Sequence, residues 1–266
     1  MKTKILLWFC ILVSLNAYSQ KKLDVDFIKF KSYFETKKAE RSEDGNKTYL
    51  PIDLLTKITG KTYENVVQIH PIISTDNKDN QLFIVELSYP EGGCSSIYQL
   101  MLFTENALLN TKNIGFTVLD GEGGTVSSIK IINSGLFEVE EKTVEYTDEG
   151  IKKVLKEKCI YYVVENKHIG IAELSTPSKG RLYPQLSLRV IDTEKLRGMK
   201  KENLDIMRNE IFADYGYVFK TKKWKTYFES KKWYNPRRRD VVSKLSVVEK
   251  INIDRILHAS NTYLFY

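Results

Sequence analysis

The sequence predicts an α+β protein: an antiparallel β-rich N-terminal domain with two short helices, followed by a small three-helix module. β-branched and aromatic runs separated by turn residues recur over residues 66–173, with no helical spacing between them. Beyond residue 195 the apolar residues instead recur at intervals of three and four, which indicates helices. The composition, 42% hydrophobic and 28% charged with 14 Gly and 6 Pro, excludes disordered, collagen-like and polytopic membrane chains.

The first nineteen residues have the organisation of a secretory signal peptide. Two lysines precede the apolar run Ile5 to Leu15, and the small residues Ala17 and Ser19 follow at the positions that signal peptidase reads. The run is shorter than the roughly 20 residues needed to span a bilayer, and no second such run follows. We therefore expect a signal peptide at residues 1–19 and a periplasmic or secreted chain without a transmembrane segment.

Removal of that peptide leaves two cysteines, Cys94 and Cys159. In an exported protein they can form one disulfide, which would close a loop of about 65 residues and contribute roughly 4 kcal/mol in the chain-entropy model. The alternative is two separate buried thiols that behave as small hydrophobic side chains. Both alternatives stay open, because a bridge requires the two Cα atoms to lie within reach of each other.

Two short helices are expected before the strands. The aromatic residues of the segment 23–36 recur at spacings of three and four, which predicts an amphipathic helix. A second helix is expected to follow Pro51, since proline suits the first helical position, and to end near Gly60.

Nine runs rich in β-branched or aromatic residues follow, separated by Gly, Asn and Asp turns. Because no helix lies between them, we expect the strands to pair as an antiparallel meander. The predicted strands are Val66–Ile73, Gln81–Ser88, Ile97–Phe103, Gly115–Leu119, Ser127–Ile132, Gly135–Glu140, Lys142–Tyr146, Cys159–Val164 and Ile169–Glu173.

No catalytic residue, metal site or cofactor is predicted. The three histidines, His70, His168 and His258, lie in different elements and form no paired ligand motif. Carboxylates between 138 and 145 alternate with apolar side chains, as in a strand with one face in water. The alternative function is an envelope hydrolase, a peptidase or glycosidase, which would need Cys94, a histidine or converging carboxylates in one pocket.

Positive charge is concentrated near the C-terminus. Residues 195–240 contain 14 Lys or Arg and 6 Asp or Glu, a net charge of +8, whereas residues 20–194 contain 22 and 26, a net charge of −4. This asymmetry suggests two units with different partners, and an anionic polymer suits the basic one. The alternative is a helical surface that is simply solvated. Nucleic acid is not expected, because export separates it from the protein and no recognition motif is present.

Three helices are predicted in the basic module. The first spans residues 202–213 and ends before Gly216, at a position where glycine commonly terminates helices. The second is expected to be capped by Thr221. The third begins with the capping box formed by Ser246 and Glu249.

Nine of the 23 residues from 212 to 234 are aromatic. Most of them are expected in the core, because a domain this small needs large side chains to bury enough surface. Surplus rings and clustered cations would suit an anionic glycan, through stacking and charge. The candidate ligand-binding residues are Arg237, Arg238, Arg239, Trp224 and Trp233. The alternative is a solvated loop beside buried tryptophans.

The module also carries a family resemblance. The residues that carry it are Met207 to Ala213, Gly216 to Phe219, Trp233 to Pro236, Leu245 and Glu249 to Ile253. Through these spaced matches, residues 200–260 resemble the YARHG domain, a family named for five consecutive residues. The corresponding residues here are Phe212-Ala213-Asp214-Tyr215-Gly216, of which Ala213 and Gly216 match.

The resemblance implies an exported bacterial protein whose YARHG-like module has no established activity and binds a component of the cell envelope. A cell-wall or outer-membrane glycan is the expected partner. The expected organisation is a signal peptide at residues 1–19, a β-rich domain at 20–194 and the helical module at 195–262. The leading hypothesis is therefore a non-catalytic, exported, envelope-associated protein.

Overall fold

The computed structural model describes residues 25–35, 49–77, 80–90, 94–147 and 150–262, so the predicted signal peptide lies outside the described residues. Packing divides the chain into an N-terminal unit that ends at Ile171 and a C-terminal unit that begins at Ala172. The N-terminal unit contains a sheet of eight strands, and most helical residues lie in the C-terminal unit. The predicted α+β class is confirmed.

Each strand of the sheet pairs antiparallel with its neighbours in sequence. The strands are β1 (Gln68–Asn77), β2 (Asn80–Tyr89), β3 (Cys94–Thr104), β4 (Ala107–Leu119), β5 (Gly123–Asn133), β6 (Leu136–Thr147), β7 (Gly150–Glu165) and β8 (His168–Ile171). Two predicted strands merge into β6. Only Glu141 separated them, and it continues the ladder by pairing with Ser127 on one side and Lys158 on the other.

Two helices cover one face of the sheet. Helix α1 comprises residues 25–35 in the described part, and α2 spans Ile52–Thr59, directly after Pro51 at its N-cap. Their apolar side chains pack with Phe83 and Val85 of β2 and with residues of β3, forming one buried cluster. Apolar residues recur at helical spacing in these helices because their side chains form the helical side of this core.

A second core lies on the opposite face of β2. Leu82 and Ile84 point there and pack with Phe137 of β6 and Tyr162 of β7. Consecutive residues of β2 are buried on both sides of the sheet, which explains its uninterrupted apolar sequence. The unit is therefore layered, with helices, strands β1–β4 and strands β5–β8 packed in that order.

The sheet changes direction between β4 and β5. These strands pair only at Val118 with Thr125 and at Leu119 with Gly124. At the far end of the sheet, β8 pairs only with residues Tyr162 to Glu165 of the much longer β7. One edge of β7 before Tyr162 therefore has no partner strand among the described residues.

The C-terminal unit is built from helices α3 (Lys201–Asp214), α4 (Lys222–Glu229) and α5 (Val247–Thr262). Its main core joins Leu204 and Met207 of α3 to Ile256 of α5, together with Leu186 and Leu196 from two 3₁₀ turns. The first turn, Pro184–Ser187, precedes the predicted start of the module at residue 195, and the second, Thr193–Leu196, spans it. Packing therefore places residues 172–194 with the helices.

Two cap predictions have different outcomes. The capping box is confirmed: the N–H of Glu249 donates to Ser246 Oγ at 3.2 Å, and the N–H of Ser246 donates to Glu249 Oε2 at 2.9 Å. Thr221 occupies the N-cap position of α4. The predicted capping bond is absent, because its side chain accepts no hydrogen bond from α4. The N–H groups in the first turn of α4 therefore have no acceptor in the Thr221 side chain and face solvent.

No helix in the described ranges has both the length and the apolar character that crossing a bilayer requires.

Candidate functional site

A buried ion pair links the segment before α3 to α3 itself. The Arg181 side chain is fully buried, and its Nη1 donates to Asp214 Oδ2 at 2.7 Å and to Ser187 Oγ at 2.8 Å. Its Nε lies 3.9 Å from Glu210 Oε2, and the carboxylate of Glu210 is 1% exposed. A buried charge without such partners is strongly destabilising, so this cluster maintains the fold.

A second buried carboxylate, Glu249, collects hydrogen bonds from several segments. It accepts from Ser187 Oγ at 2.6 Å, from the Tyr215 hydroxyl at 2.7 Å and from its own cap residue Ser246. Burial raises the pKa of Tyr215 to about 12, and the hydrogen bond to Glu249 adds to the rise. These donors satisfy the carboxylate from within the unit, which indicates a structural role.

The candidate site is a groove of about 540 Å³ on the C-terminal unit. We call it the basic groove. It is lined by side chains from α3, the start of α4, the loop before α5 and α5 itself: Arg208, Asn209, Phe212, Tyr217, Phe219, Lys220, Thr221, Trp224, Arg239, Asp240, Val241, Val242, Ile253 and Leu257. Its volume lies in the range of small-molecule sites.

Three cations and one carboxylate line the basic groove. Arg208, Lys220 and Arg239 form no ion pair within the described part of the chain, and Lys220 and Arg239 are exposed. The carboxylate of Asp240 accepts the N–H of Val242 at 3.0 Å, which turns the local backbone. The net charge of the lining is therefore positive, and the groove favours anions.

The N-terminus of α4 adds to this preference. Thr221, its N-cap residue, lines the groove and provides no capping bond. Uncapped N–H groups and the positive end of the helix dipole both stabilise an anion placed there. Here they lie beside side-chain cations, so backbone and side chains favour the same sign of ligand charge.

Aromatic rings make up one wall of the basic groove. Phe219 is buried and stacks on Phe228 with ring centroids 4.7 Å apart. Trp224 is half-buried, meets Tyr227 edge-on and has Lys223 Nζ 4.8 Å from its ring centroid. Packing of this kind holds the rings in place, so they form a rigid apolar surface.

The structure separates the five predicted ligand-binding residues. Arg239 and Trp224 line the basic groove. The guanidinium of Arg238 instead donates to the Tyr215 carbonyl at 2.9 Å, and the Trp233 indole N–H donates to the Gly180 carbonyl at 3.1 Å. The side chain of Arg237 packs close to Gly216, outside the groove lining.

Sequence reasoning missed Arg208 and Lys220. Arg208 lies in α3, far in sequence from the triple arginine, and only the tertiary fold brings it near Arg239. Lys220 directly precedes the N-cap residue of α4. The sequence could have indicated its role, because a cation and the free N–H groups at a helix start both favour an anionic ligand.

A second concavity lies in the N-terminal unit, where the core between the two halves of the sheet opens to solvent. This cleft of about 570 Å³ is lined mainly by apolar side chains, including Ile97, Phe116 and Val118. Glu141 is its only charged lining residue within the described structure, and Tyr162 forms part of its wall. Burial, followed by the charge of Glu141, raises the pKa of Tyr162.

The histidines and cysteines considered for hydrolysis lie in different elements. His70 is buried in β1, His168 lies in β8 and His258 lies in α5. Cys159 lies in β7, and three strands separate it in sheet order from β3, which contains Cys94. The side chain of Cys94 is outside the described residues, so the disulfide stays a prediction.

Comparison with known proteins identifies one region. Residues 179–261 match the YARHG domain family, and the N-terminal region matches no family. No curated protein and no solved structure matches the chain. The resemblance predicted for the C-terminal module is confirmed, and the matched segment contains every residue that lines the basic groove.

Proposed function

We propose that this is an exported, non-catalytic protein of the cell envelope whose YARHG domain binds an anionic envelope component through the basic groove. The observation that carries the proposal is the lining of that groove, where Arg208, Lys220 and Arg239 lack carboxylate partners in the described structure. Cations that line one groove without carboxylate partners attract anions, because their positive potentials add there.

The ligand we propose is an anionic glycan of the cell wall or outer membrane. Its negative groups would lie against Arg239, Lys220 and the start of α4, with a sugar ring against the aromatic wall that includes Trp224. This arrangement uses two of the five residues proposed from the sequence; Arg238 and Trp233 bond backbone carbonyls instead, and Arg237 lies outside the groove lining.

Export is part of the same proposal. Residues 1–19 would be removed, and the mature protein would begin at Gln20. N-terminal sequencing of the protein isolated from its native host tests this directly. Recovery of the intact 266-residue chain from the cytosol would overturn the envelope assignment.

Binding is tested with a pair of charge-matched double variants of the mature chain. Lys220→Gln with Arg239→Gln removes two groove cations, and Lys232→Gln with Lys250→Gln removes two exposed cations outside the groove lining. Co-sedimentation with purified cell-wall sacculi and with lipopolysaccharide vesicles gives the affinity. We expect the groove variant to bind about five- to tenfold more weakly, a loss of roughly 1 kcal/mol for two exposed charges.

The control variant should bind like the wild-type protein, and wild-type binding should weaken as salt is raised from 50 to 500 mM, concentrations across which screening increases about threefold. Equal losses in both variants would mean that charge acts without a defined site. Wild-type binding to neither preparation at low salt would refute the proposed function.

A further inference from the structure

Asn209 of α3 is buried yet lines the basic groove. It is 4% exposed, and its Nδ2 has no hydrogen-bond acceptor among the described residues. A buried N–H group without an acceptor destabilises the folded state, because its hydrogen bond to water is lost and not replaced. Native proteins rarely leave such a group unless water or a ligand satisfies it.

The orientation of this amide is fixed by its neighbour. Arg208 Nε and Nη2 lie 3.4 and 3.3 Å from Asn209 Oδ1. A guanidinium has only donors, so the atom facing it must be the amide oxygen. The two N–H bonds of Nδ2 are therefore on the other side of the amide, and flipping the side chain would place donor against donor.

The surroundings of Asn209 restrict what can accept this hydrogen bond. Phe212, Ile253 and Leu257 line the same groove and are apolar, whereas Lys220 and Arg239 supply its positive charge. An acetamido group fits both requirements, because its carbonyl oxygen is a strong acceptor and its methyl group packs against apolar side chains. A carboxylate elsewhere on the same glycan would meet the cations.

We infer that the basic groove recognises an N-acetylated, acidic glycan, with the acetamido carbonyl accepting a hydrogen bond from Asn209 Nδ2. This inference rests on the proposed function and adds the sugar class that the groove selects. Asn209 is then a specificity-determining residue: it distinguishes acidic glycans that contain acetamido groups from acidic glycans that lack them.

The probes are two defined acidic oligosaccharides measured by isothermal titration with the mature chain. A hyaluronan hexasaccharide alternates glucuronate with N-acetylglucosamine, and a glucuronan hexasaccharide carries a carboxylate on every sugar but no acetamido group. Charge alone favours glucuronan. We expect the wild-type protein to bind hyaluronan at least fivefold more tightly, because only that probe has an amide carbonyl.

The variant is Asn209→Leu, which keeps the side-chain size and removes the donor. We expect hyaluronan binding to weaken about five- to tenfold, the value of one hydrogen bond of roughly 1 to 1.4 kcal/mol, and glucuronan binding to weaken by less, so that the ratio of the two affinities falls. Thermal stability should stay the same or rise, because the unsatisfied N–H group is gone. An asparagine with a purely structural role would instead lower the stability and leave the ratio of the two affinities unchanged.

The outcomes separate this inference from the proposed function. Equal affinity for both probes, or tighter binding of glucuronan, overturns the acetamido assignment and leaves an anion-binding groove. If the protein binds neither probe and also fails to bind the envelope preparations, both the acetamido inference and the proposed function are refuted. If Asn209→Leu does not fold, the preference of the wild-type protein between the two probes still decides the question.

Discussion

The N-terminal unit is stabilised by two apolar cores, whereas the C-terminal unit places charged side chains in its interior. Phe27, Phe30, Phe83 and Phe103 pack ring against ring between the helices and the sheet. In the C-terminal unit, Arg181, Glu210 and Glu249 are all buried and bound to partners. Apolar cores tolerate changes of similar size, but a buried ionic network depends on each of its members. The two units should therefore respond differently to conservative substitutions.

The largest effect is expected for Arg181→Met. This change keeps much of the side-chain volume but leaves the buried carboxylates of Asp214 and Glu210 without a cation. We expect a loss of about 3–5 kcal/mol in the stability of the C-terminal unit. Tryptophan fluorescence during urea unfolding reports on this unit, because two of the three tryptophans, Trp224 and Trp233, lie in it.

The control for that prediction is Arg197→Met, since the Arg197 side chain is 78% exposed and its partner Glu194 is exposed as well. It should change the stability by less than about 0.5 kcal/mol. Similar losses in both variants would mean that burial of the ion pair has no special importance.

An intermediate effect is expected at the bend of the sheet in the N-terminal unit. Gly124 has a φ of +143°, and a Cβ there would overlap the carbonyl oxygen of Val118. Gly124→Ala should cost about 1–3 kcal/mol through overpacking and backbone strain. The matched control is Gly121→Ala, where an added Cβ meets nothing within 4 Å. Thermal unfolding followed by the β-sheet signal in circular dichroism should separate the two, and equal melting temperatures would contradict the prediction.

The smallest effect is expected for Tyr215→Phe. At neutral pH the loss should be about 1 kcal/mol, because Glu249 keeps its hydrogen bonds from Ser187 and Ser246. The pKa of Tyr215 is raised from 10.0 to about 12, so its stabilising contribution is complete below pH 10 and is lost as the pH approaches 12. The wild-type advantage over the variant, measured by urea unfolding, should shrink between pH 10 and 12. A constant difference would mean that the pKa of Tyr215 is the same in the folded and unfolded states.

The sequence was sufficient for those parts of the fold that depend on local patterns. Alternation and turn residues predicted the antiparallel meander, and the capping box at Ser246 located the start of α5. The merging of two predicted strands into β6 was missed because Glu141 resembles a break, although only its pairing with Ser127 and Lys158 decides the point. Such pairing is a tertiary property.

The candidate site could be predicted only in part, for the same reason. Composition indicated that basic and aromatic residues near the C-terminus would matter, and Arg239 and Trp224 do line the groove. No local sequence pattern indicates that Arg238 donates to a backbone carbonyl or that Trp233 donates to the Gly180 carbonyl. The contribution of Asn209 depends on two tertiary features. Arg208 fixes the orientation of its amide, and its Nδ2 has no acceptor among the described residues.

The short length of β8 has a consequence for how this protein behaves at high concentration. Before Tyr162, β7 presents backbone donors and acceptors that β8 does not cover, next to the exposed apolar side chains of Val154 and Leu155. Lys153, Lys156 and Lys158 are exposed along the same stretch. A second molecule docking there as an extra strand would bring its own lysines against them, and like charges repel. Glu157 is the one carboxylate in residues 153–158, so we expect the net positive charge of this edge to disfavour the addition of a second molecule as an extra strand.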